Sequence, residues 1–596
     1  MNSKIEELFG ADLRSLAALR IATALILILD LCQRATDLEA HYSDFGVAPR
    51  SLVIDNLGSR WFVSFHFLSG AWQVQALLFL LAGILACALL IGYRTRIATV
   101  GCWIFWVSLI VRNFHVVAGG DMLLRAVLFW SMFLPLGAHY SVDRAWARFP
   151  GKLPKRVVSW GTAAFTVQIL ILYWASVFAK SGAEWWGEGS AVYYALSIDY
   201  ITTPLGQWLL HLPAPVLRLA TWSVLAFEFL GPALLLVPWL TGPVRTLVVF
   251  GFVALHLAFF FTLLIGLFPL IAIASMLFFL PSWFWDRLLP QFRRAARRPV
   301  TIYYDGDCGF CWKTVRLMQT FLLPPLTQIL PAQSNPAMEA AMRENNSWVV
   351  VDVSGRQFFR YQGVVAVARS ARLLAWLVPI LKLGPIERIG ERAYRYVAEH
   401  RSVSCQLPSN GTVIDSTLGL RLCAGASALA VAMMVYMLVW NIGNVRFANL
   451  KIPERVRSVG NLVGLDQTWE MFAPFPAKDD GWYAVPGRLK NGRQIDLQRG
   501  AMEIHWEKPK YIALTIKNHR WRKFFELMNK RDFLATGYAR YLCRNWNRSH
   551  SGAEALQELE IVFMLEWTRP NFEYFEPRKI SLLKYQCAAA PTKGSP

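Results

Sequence analysis

Charge is scarce in this chain: 17% of its 596 residues are Asp, Glu, Lys or Arg, while 55% are hydrophobic and 14% aromatic. Soluble domains average about 25% charged residues, so a water-solvated globule is excluded for most of the length. The chain has no phosphate-binding glycine loop, dinucleotide fingerprint, haem-attachment motif or internal repeat, which removes the usual signatures of nucleotide and haem enzymes and of solenoids. Cysteine is sparse too. Nine cysteines scattered over the whole length do not form a disulfide framework.

Long uncharged runs fill the place of the missing charge. Spans are expected at Leu13–Cys32, Trp72–Gly92, Ile97–Val117, Met122–Gly137, Val157–Ala179, Val216–Val237, Arg245–Leu263 and Leu267–Pro281, with a ninth at Leu418–Trp440. The Met122 and Leu267 runs are short for a bilayer and suit a tilted core helix or a re-entrant piece. The first run is full length and lacks a small-residue cleavage site, so a cleavable signal peptide is not expected. The fold class is therefore a polytopic α-helical membrane protein of about eight spans plus one, with an inserted α/β domain and a C-terminal α+β region. Its parts are 1–290, 298–405, 418–440 and 441–596.

The net charge of +21 does not indicate nucleic acid, because the cations follow the loops. Arg94 and Arg96 separate spans two and three; Arg144, Arg148, Lys152, Lys155 and Arg156 separate four and five; Arg287, Arg293, Arg294, Arg297 and Arg298 follow span eight. Under simple alternation these loops share one face, which the positive-inside rule makes cytoplasmic. The inserted domain is then cytosolic, the partner is a lipid bilayer, and the inner membrane of a bacterium is the expected location. Arg446, Lys451, Arg455 and Arg457 strain the rule by flanking the outer end of the ninth span.

Within the inserted domain, YYDGDCGFC (Tyr303–Cys311) places two cysteines three positions apart, after a strand-like run and before a helical one. Cys308 falls at or just before a helix N-terminus. The helix dipole there favours a thiolate, and such placement lowers a cysteine pKa from about 8.5 to roughly 3.5–7.5. An outward Cys308 would attack and Cys311 would resolve the mixed disulfide. A zinc site would need four ligands, and the nearest further candidates, His400 and Cys405, lie far downstream without a second paired spacing. An aspartate phosphotransferase would use Asp305 and Asp307, but no later lysine and acidic pair is placed to complete it.

The stretch VTIYYDGDCGFCWKTVRLM, then ILPAQS, SWVVVDVSG, QFFRYQG and IERIGERAYRYVAEHR, resembles the DCC family of thioredoxin-like thiol-disulfide oxidoreductases over roughly Arg298–His400. That implies a thioredoxin-like fold, protein-disulfide reductase chemistry at Cys308 and Cys311, and a thiol or disulfide protein partner. The acidic DGDC lead-in distinguishes it from ordinary thioredoxins, and Asp305 and Asp307 should oppose thiolate formation. Thioredoxins place a cis-proline before the strand facing the cysteines; here Asn345, Asn346 and Ser347 precede Trp348, so either Pro331 plays a different part or substrate docking differs.

Ionisable residues inside the bundle are costly and rarely face lipid. Arg112, His115, Asp121, Arg125, Lys180, Glu228 and His256 are expected at one depth, in the outer half of the bilayer. Over about Asp12–Arg287, with GGDMLLRAVLFWSMFLPLGAHYSVDRA and ILYWASVFAKSGAEWWGEGSAVYYALS, the chain resembles the HTTM domain shared with vitamin K-dependent gamma-glutamyl carboxylase. The resemblance places Lys180 on the carboxylase's base and implies a pocket for a quinone or hydroquinone. The carboxylase's histidine would fall near Gly120 or Asp121 and is unmatched. About 30 Å of hydrocarbon separates Lys180 from Cys308, so coupling would need a mobile carrier. Two other readings remain open here: a non-enzymatic assembly factor or transporter with a docking module, and a carboxylase-like quinol enzyme. In the C-terminal region LDQTWEMFAPFPAKDDGWY and GRLKNGRQIDL read as β structure turning at Asn491–Gly492, followed by helices and the strand-like ELEIVFMLEWT.

Overall fold

The computed structural model describes residues 3–147, 153–294, 299–323, 327–371, 374–400, 423–444, 452–500, 502–569 and 576–587. Arg148, Lys152, Arg297, Arg298, Cys405, Arg446, Lys451, the start of the expected ninth span and the tail from Ala588 lie outside the described residues.

Eight helical segments follow the expected order: α1 (Leu13–Ala35), α2 (Trp72–Ile91), α3 (Thr95–Arg112), α4 (Gly119–Ser131), α5 (Trp160–Ala179), α6 (Ala214–Leu234), α7 (Thr241–Thr262) and α8 (Phe268–Met276). Six of them are long and apolar enough to cross a membrane. The other two are the runs expected to be too short for a simple span. The Met122 run is the 13-residue helix α4, about 20 Å at 1.5 Å per residue, and nearly every residue in it is buried by neighbouring helices. The Leu267 run extends through a 3₁₀ turn to Phe279 and bends by 93° into the next helix, α9 (Ser282–Arg294), with Pro281 at the break.

Polar contacts fix which helix ends share a face. A two-residue ladder pairs β1 (Ala11–Asp12) with β2 (Arg156–Val157), joining the starts of α1 and α5. Ser15 donates to the Leu280 carbonyl at 2.6 Å, and Arg14 pairs with Asp286 at 2.8 Å. Arg20, fully buried, donates to the carbonyls of Leu136 and Tyr140. The ends of α1, α2, α4, α5 and α8 therefore alternate as a serpentine bundle requires.

The inserted domain holds a mixed sheet of β3 (Thr301–Tyr304), β4 (Gln328–Pro331), β5 (Val349–Val351) and β6 (Gln357–Phe359) in the order β4-β3-β5-β6. β4 runs parallel to β3, while β5 is antiparallel to both β3 and β6. Around it lie α10 (Gly309–Phe321), α11 (Pro336–Asn345), α12 (Arg360–Ser370) and α13 (Gly384–His400). This βαβ unit followed by a hairpin and a helix is the thioredoxin-type layout expected. Pro331 ends β4 opposite Tyr304, beside the cysteine strand.

After the ninth apolar helix α14 (Ala424–Asn444) comes α15 (Glu454–Val463), then a five-stranded sheet: β7 (Asp479–Ala484), β8 (Pro486–Leu489), β9 (Gln494–Asp496), β10 (Leu556–Trp567) and β11 (Arg578–Gln586). The β8–β9 turn falls at Asn491–Gly492, where Gly492 takes φ +82°. Helices α16 (His519–Met528) and α17 (Asp532–Ser549) cover this sheet. A disulfide joins Cys543 to Cys587. This single bridge is no framework, and its partners lie 44 residues apart, so nothing in the sequence signalled the pairing.

The two appended regions lie on opposite faces of the bundle. Trp146 Nε1, just past the helical turn Val142–Ala145, donates to the Lys313 carbonyl of α10 at 3.4 Å, on the face where α1 begins. The C-terminal region meets the other helix ends: Arg520 binds Asp30 and Asp121, Lys517 binds Asp37, and Lys478 binds Glu184 at 2.5 Å.

Candidate functional site

β3 delivers the chain into a tight acidic turn, and α10 begins at once with Cys308 as its N-cap. The Cys311 backbone N–H donates to Cys308 Sγ at 3.4 Å, within sulfur hydrogen-bond range, and the Cys308 N–H donates to the Asp305 carbonyl. An N-cap acceptor normally satisfies one of the orphan amides of the first turn; here sulfur takes that place. Negative charge on Cys308 is thus met by an amide donor and by the positive end of the helix.

The acidic turn is held from β4's exit. Gln333 donates through Nε2 to Asp305 at 3.0 Å and to Asp307 at 3.3 Å, and accepts the Gly306 N–H at 3.0 Å. Asp307 is exposed, so water screens much of its repulsion of a neighbouring thiolate. The expectation of an outward Cys308 is corrected: it is 4% exposed, and Cys311 is the more accessible of the two. α10 packs against Val142–Ala145 and Trp146, with Lys313 over the Trp146 ring at 5.7 Å. The cysteine helix therefore faces the bundle rather than open water. Among the described residues no three His, Cys, Asp or Glu side chains converge to hold a metal; His400 instead bonds the Tyr396 carbonyl.

The bundle's ionisable residues are buried as expected but fall into separate groups. Lys180 caps α5, is 3% exposed, and donates to Glu228 of α6 and to Ser176 at 3.2 Å, with the Trp185 ring 4.8 Å from its ammonium. One turn and more earlier on the same helix, Tyr173 bonds His256 of α7 at 2.8 Å. Arg112 donates only to backbone carbonyls, at Ala48, Tyr42 and Ser43, and so ties a loop to α3. His115 packs on Phe114 and Phe533. Arg125 pairs with Asp466 at 2.8 Å.

Asp121 belongs to a network the sequence did not reveal. Arg34 binds Asp30, Asp121 (2.6 Å) and Tyr42 (2.6 Å), while Arg520, from α16, reaches both aspartates. Two arginines and two aspartates leave no net charge, which is the condition for burying them together. The i,i+4 spacing of Asp30 and Arg34 was a visible signal; Arg520, some 400 positions further on, carried none.

Within the bundle, a groove lined by His66, Leu27, Phe79 and Cys102 and a cavity lined by Gly120, Asp121 and His519 each offer about 10 Å³, on the order of the space one water needs. Lys180 also donates to Glu228, so it would act as a base only after Glu228 took its proton.

Two family models match the chain. The HTTM domain matches residues 10–283 and the DCC1-like thiol-disulfide oxidoreductase matches residues 302–406. The chain joins these two domains in that order. Nothing among curated proteins or solved structures matches it. The two matches, with the apolar helices, support an integral membrane protein with a redox-related function and oxidoreductase activity in general.

Proposed function

We propose that the protein is a membrane thiol-disulfide oxidoreductase whose working pair is Cys308 and Cys311, acting as a reductase of a protein disulfide. The observation that carries this reading is the amide hydrogen bond to Cys308 Sγ at the first turn of α10. In the forward direction the Cys308 thiolate attacks one sulfur of the partner's disulfide; the Cys308–partner bond forms and the partner's other sulfur leaves as thiolate. Cys311, deprotonated in turn, attacks Cys308, so the Cys308–Cys311 bond forms and the second partner sulfur departs. Two electrons pass to the partner, which also gains two protons. A soluble dithiol must then reduce the enzyme disulfide.

The domain carrying this pair faces the cytoplasm on this reading, where thiols stay reduced, and the C-terminal region faces the opposite compartment, where a Cys543–Cys587 disulfide persists. Cys308 is 4% exposed, so a partner disulfide must gain access to its sulfur before exchange. The test is reduction of a disulfide-linked fluorescent peptide by purified full-length protein in detergent with a thiol reductant. Wild type should accelerate reduction and Cys308→Ser should fall to the reductant's own rate. Equal rates for the two proteins would remove the proposal and favour a docking role for the domain.

A further inference from the structure

The C-terminal region and the bundle loop carrying Tyr200 line a cavity of about 180 Å³, room for roughly six waters at ~30 Å³ each. Ile512, Ile516, Phe525 and Phe563 give it apolar lining. Arg522, from α16, also lines it and is 6% exposed. Its Nε has no acceptor, as is also true of Arg20, Arg112, Arg125 and Arg520; those four donate through their Nη atoms to carbonyls or carboxylates, whereas Arg522 has an ion pair with Glu526 at 3.7 Å, beyond hydrogen-bond reach. A buried guanidinium so loosely paired is costly.

The rest of the lining sets the charge of what fits. Arg499, Arg522 and Lys530 face Asp479 and Glu526. Asp480 adds little negative charge at neutral pH: burial, with Asp199 beside it, pushes its carboxyl up to about 8, and its oxygens accept the Asp199 and Gly481 N–H groups. One positive charge remains uncompensated. A phosphate dianion would meet the two ionised carboxylates, while a monoanion balances the wall.

We propose that this cavity binds a small amphipathic monocarboxylate, its carboxylate held by the Arg522 guanidinium and its apolar body against Ile516, Phe525 and Phe563. Planar bidentate pairing is the geometry arginine offers to carboxylate. The site includes Tyr200, so it exists only with the bundle loop in place, and it lies on the face away from Cys308. It is independent of the thiol reading.

Phenylacetate is a suitable probe, with its neutral analogue 2-phenylethanol and inorganic phosphate as controls, titrated calorimetrically into the full-length protein in detergent. Wild type should bind phenylacetate saturably, with 2-phenylethanol at least tenfold weaker and phosphate failing to compete. Arg522→Gln should weaken phenylacetate at least tenfold. Ile516→Trp, which fills space at the apolar lining and leaves Arg522 intact, should abolish binding even if the arginine variant fails to fold. Absence of saturable binding by wild type, equal binding of 2-phenylethanol, competition by phosphate, or full binding by either folded variant would overturn the assignment.

Discussion

Cys308 and Lys180 both place a reactive group out of bulk water, but by different means. Cys308 lies at a helix start, where an amide hydrogen and the helix dipole meet its sulfur. Lys180 lies at a helix end inside the bundle, where the carboxylate of Glu228 meets its ammonium. Backbone donors cannot be neutralised by proton transfer, so the first arrangement stabilises the sulfur without consuming its charge. A side-chain ion pair consumes the charge it stabilises. On the proposed function the chemistry falls to the redox domain, while Lys180 and Glu228 neutralise each other; both positions were legible as candidate catalytic ones.

The comparison breaks most visibly at the cysteines. Cys311→Ser should stop turnover and let a mixed disulfide between Cys308 and the partner accumulate, seen as a mass increase by intact-protein mass spectrometry, with thermal unfolding little changed. The buried pair should behave in the opposite way. Glu228→Leu leaves Lys180 unpaired and should cost about 3–5 kcal/mol of stability, read from unfolding in detergent, whereas Lys180→Met with Glu228→Leu should recover most of that loss. If the double variant stays as unstable as the single one, the pair does more than neutralise itself.

The disulfide sharpens the contrast from the other face. Closing 44 residues, Cys543–Cys587 should contribute roughly 4 kcal/mol on the chain-entropy account, so Cys543→Ala with Cys587→Ala should lower the unfolding temperature of the C-terminal region while leaving disulfide reduction by Cys308 intact. Asp480 offers a third treatment of buried charge, with burial and Asp199 holding it protonated. Its carboxyl is raised above the ordinary 3.8 to about 8, so the folded state binds the proton more tightly than the unfolded chain. The stability this contributes is complete below about pH 4 and is lost as pH rises through 8. Asp480→Asn should flatten that pH dependence in thermal melts. The smallest effect is expected at Gln333→Ala, which frees the acidic turn at a cost of about 1 kcal/mol and should change thiol reactivity modestly rather than abolish it.

What the sequence disclosed was local. The β3 to α10 transition, the two cysteines at its junction, the apolar helices and the Asn491–Gly492 turn all depend on neighbours within a few residues. Helix ends were harder. α4 stops at Ser131 although the apolar run continues to Gly137, because Pro135 and a turn follow, and neighbouring helices bury it so that it need not span. The contacts that decide function were not local. Gln333 reaches Asp305 across 28 positions, Trp146 reaches Lys313 across 167, and Arg520 reaches Asp30 across 490. The docking of Trp146 against α10 is likewise a contact no pattern around the cysteines could carry.

The central claim is that Cys308 and Cys311 form one two-electron unit. Equilibrating the purified full-length protein with glutathione buffers of graded ratio, and counting alkylated cysteines by mass spectrometry, tests this directly. Cys308 and Cys311 should lose reactivity together in a single two-electron transition while Cys543 and Cys587 stay protected throughout. Independent titration of the two thiols, or full alkylation at every ratio, would contradict it.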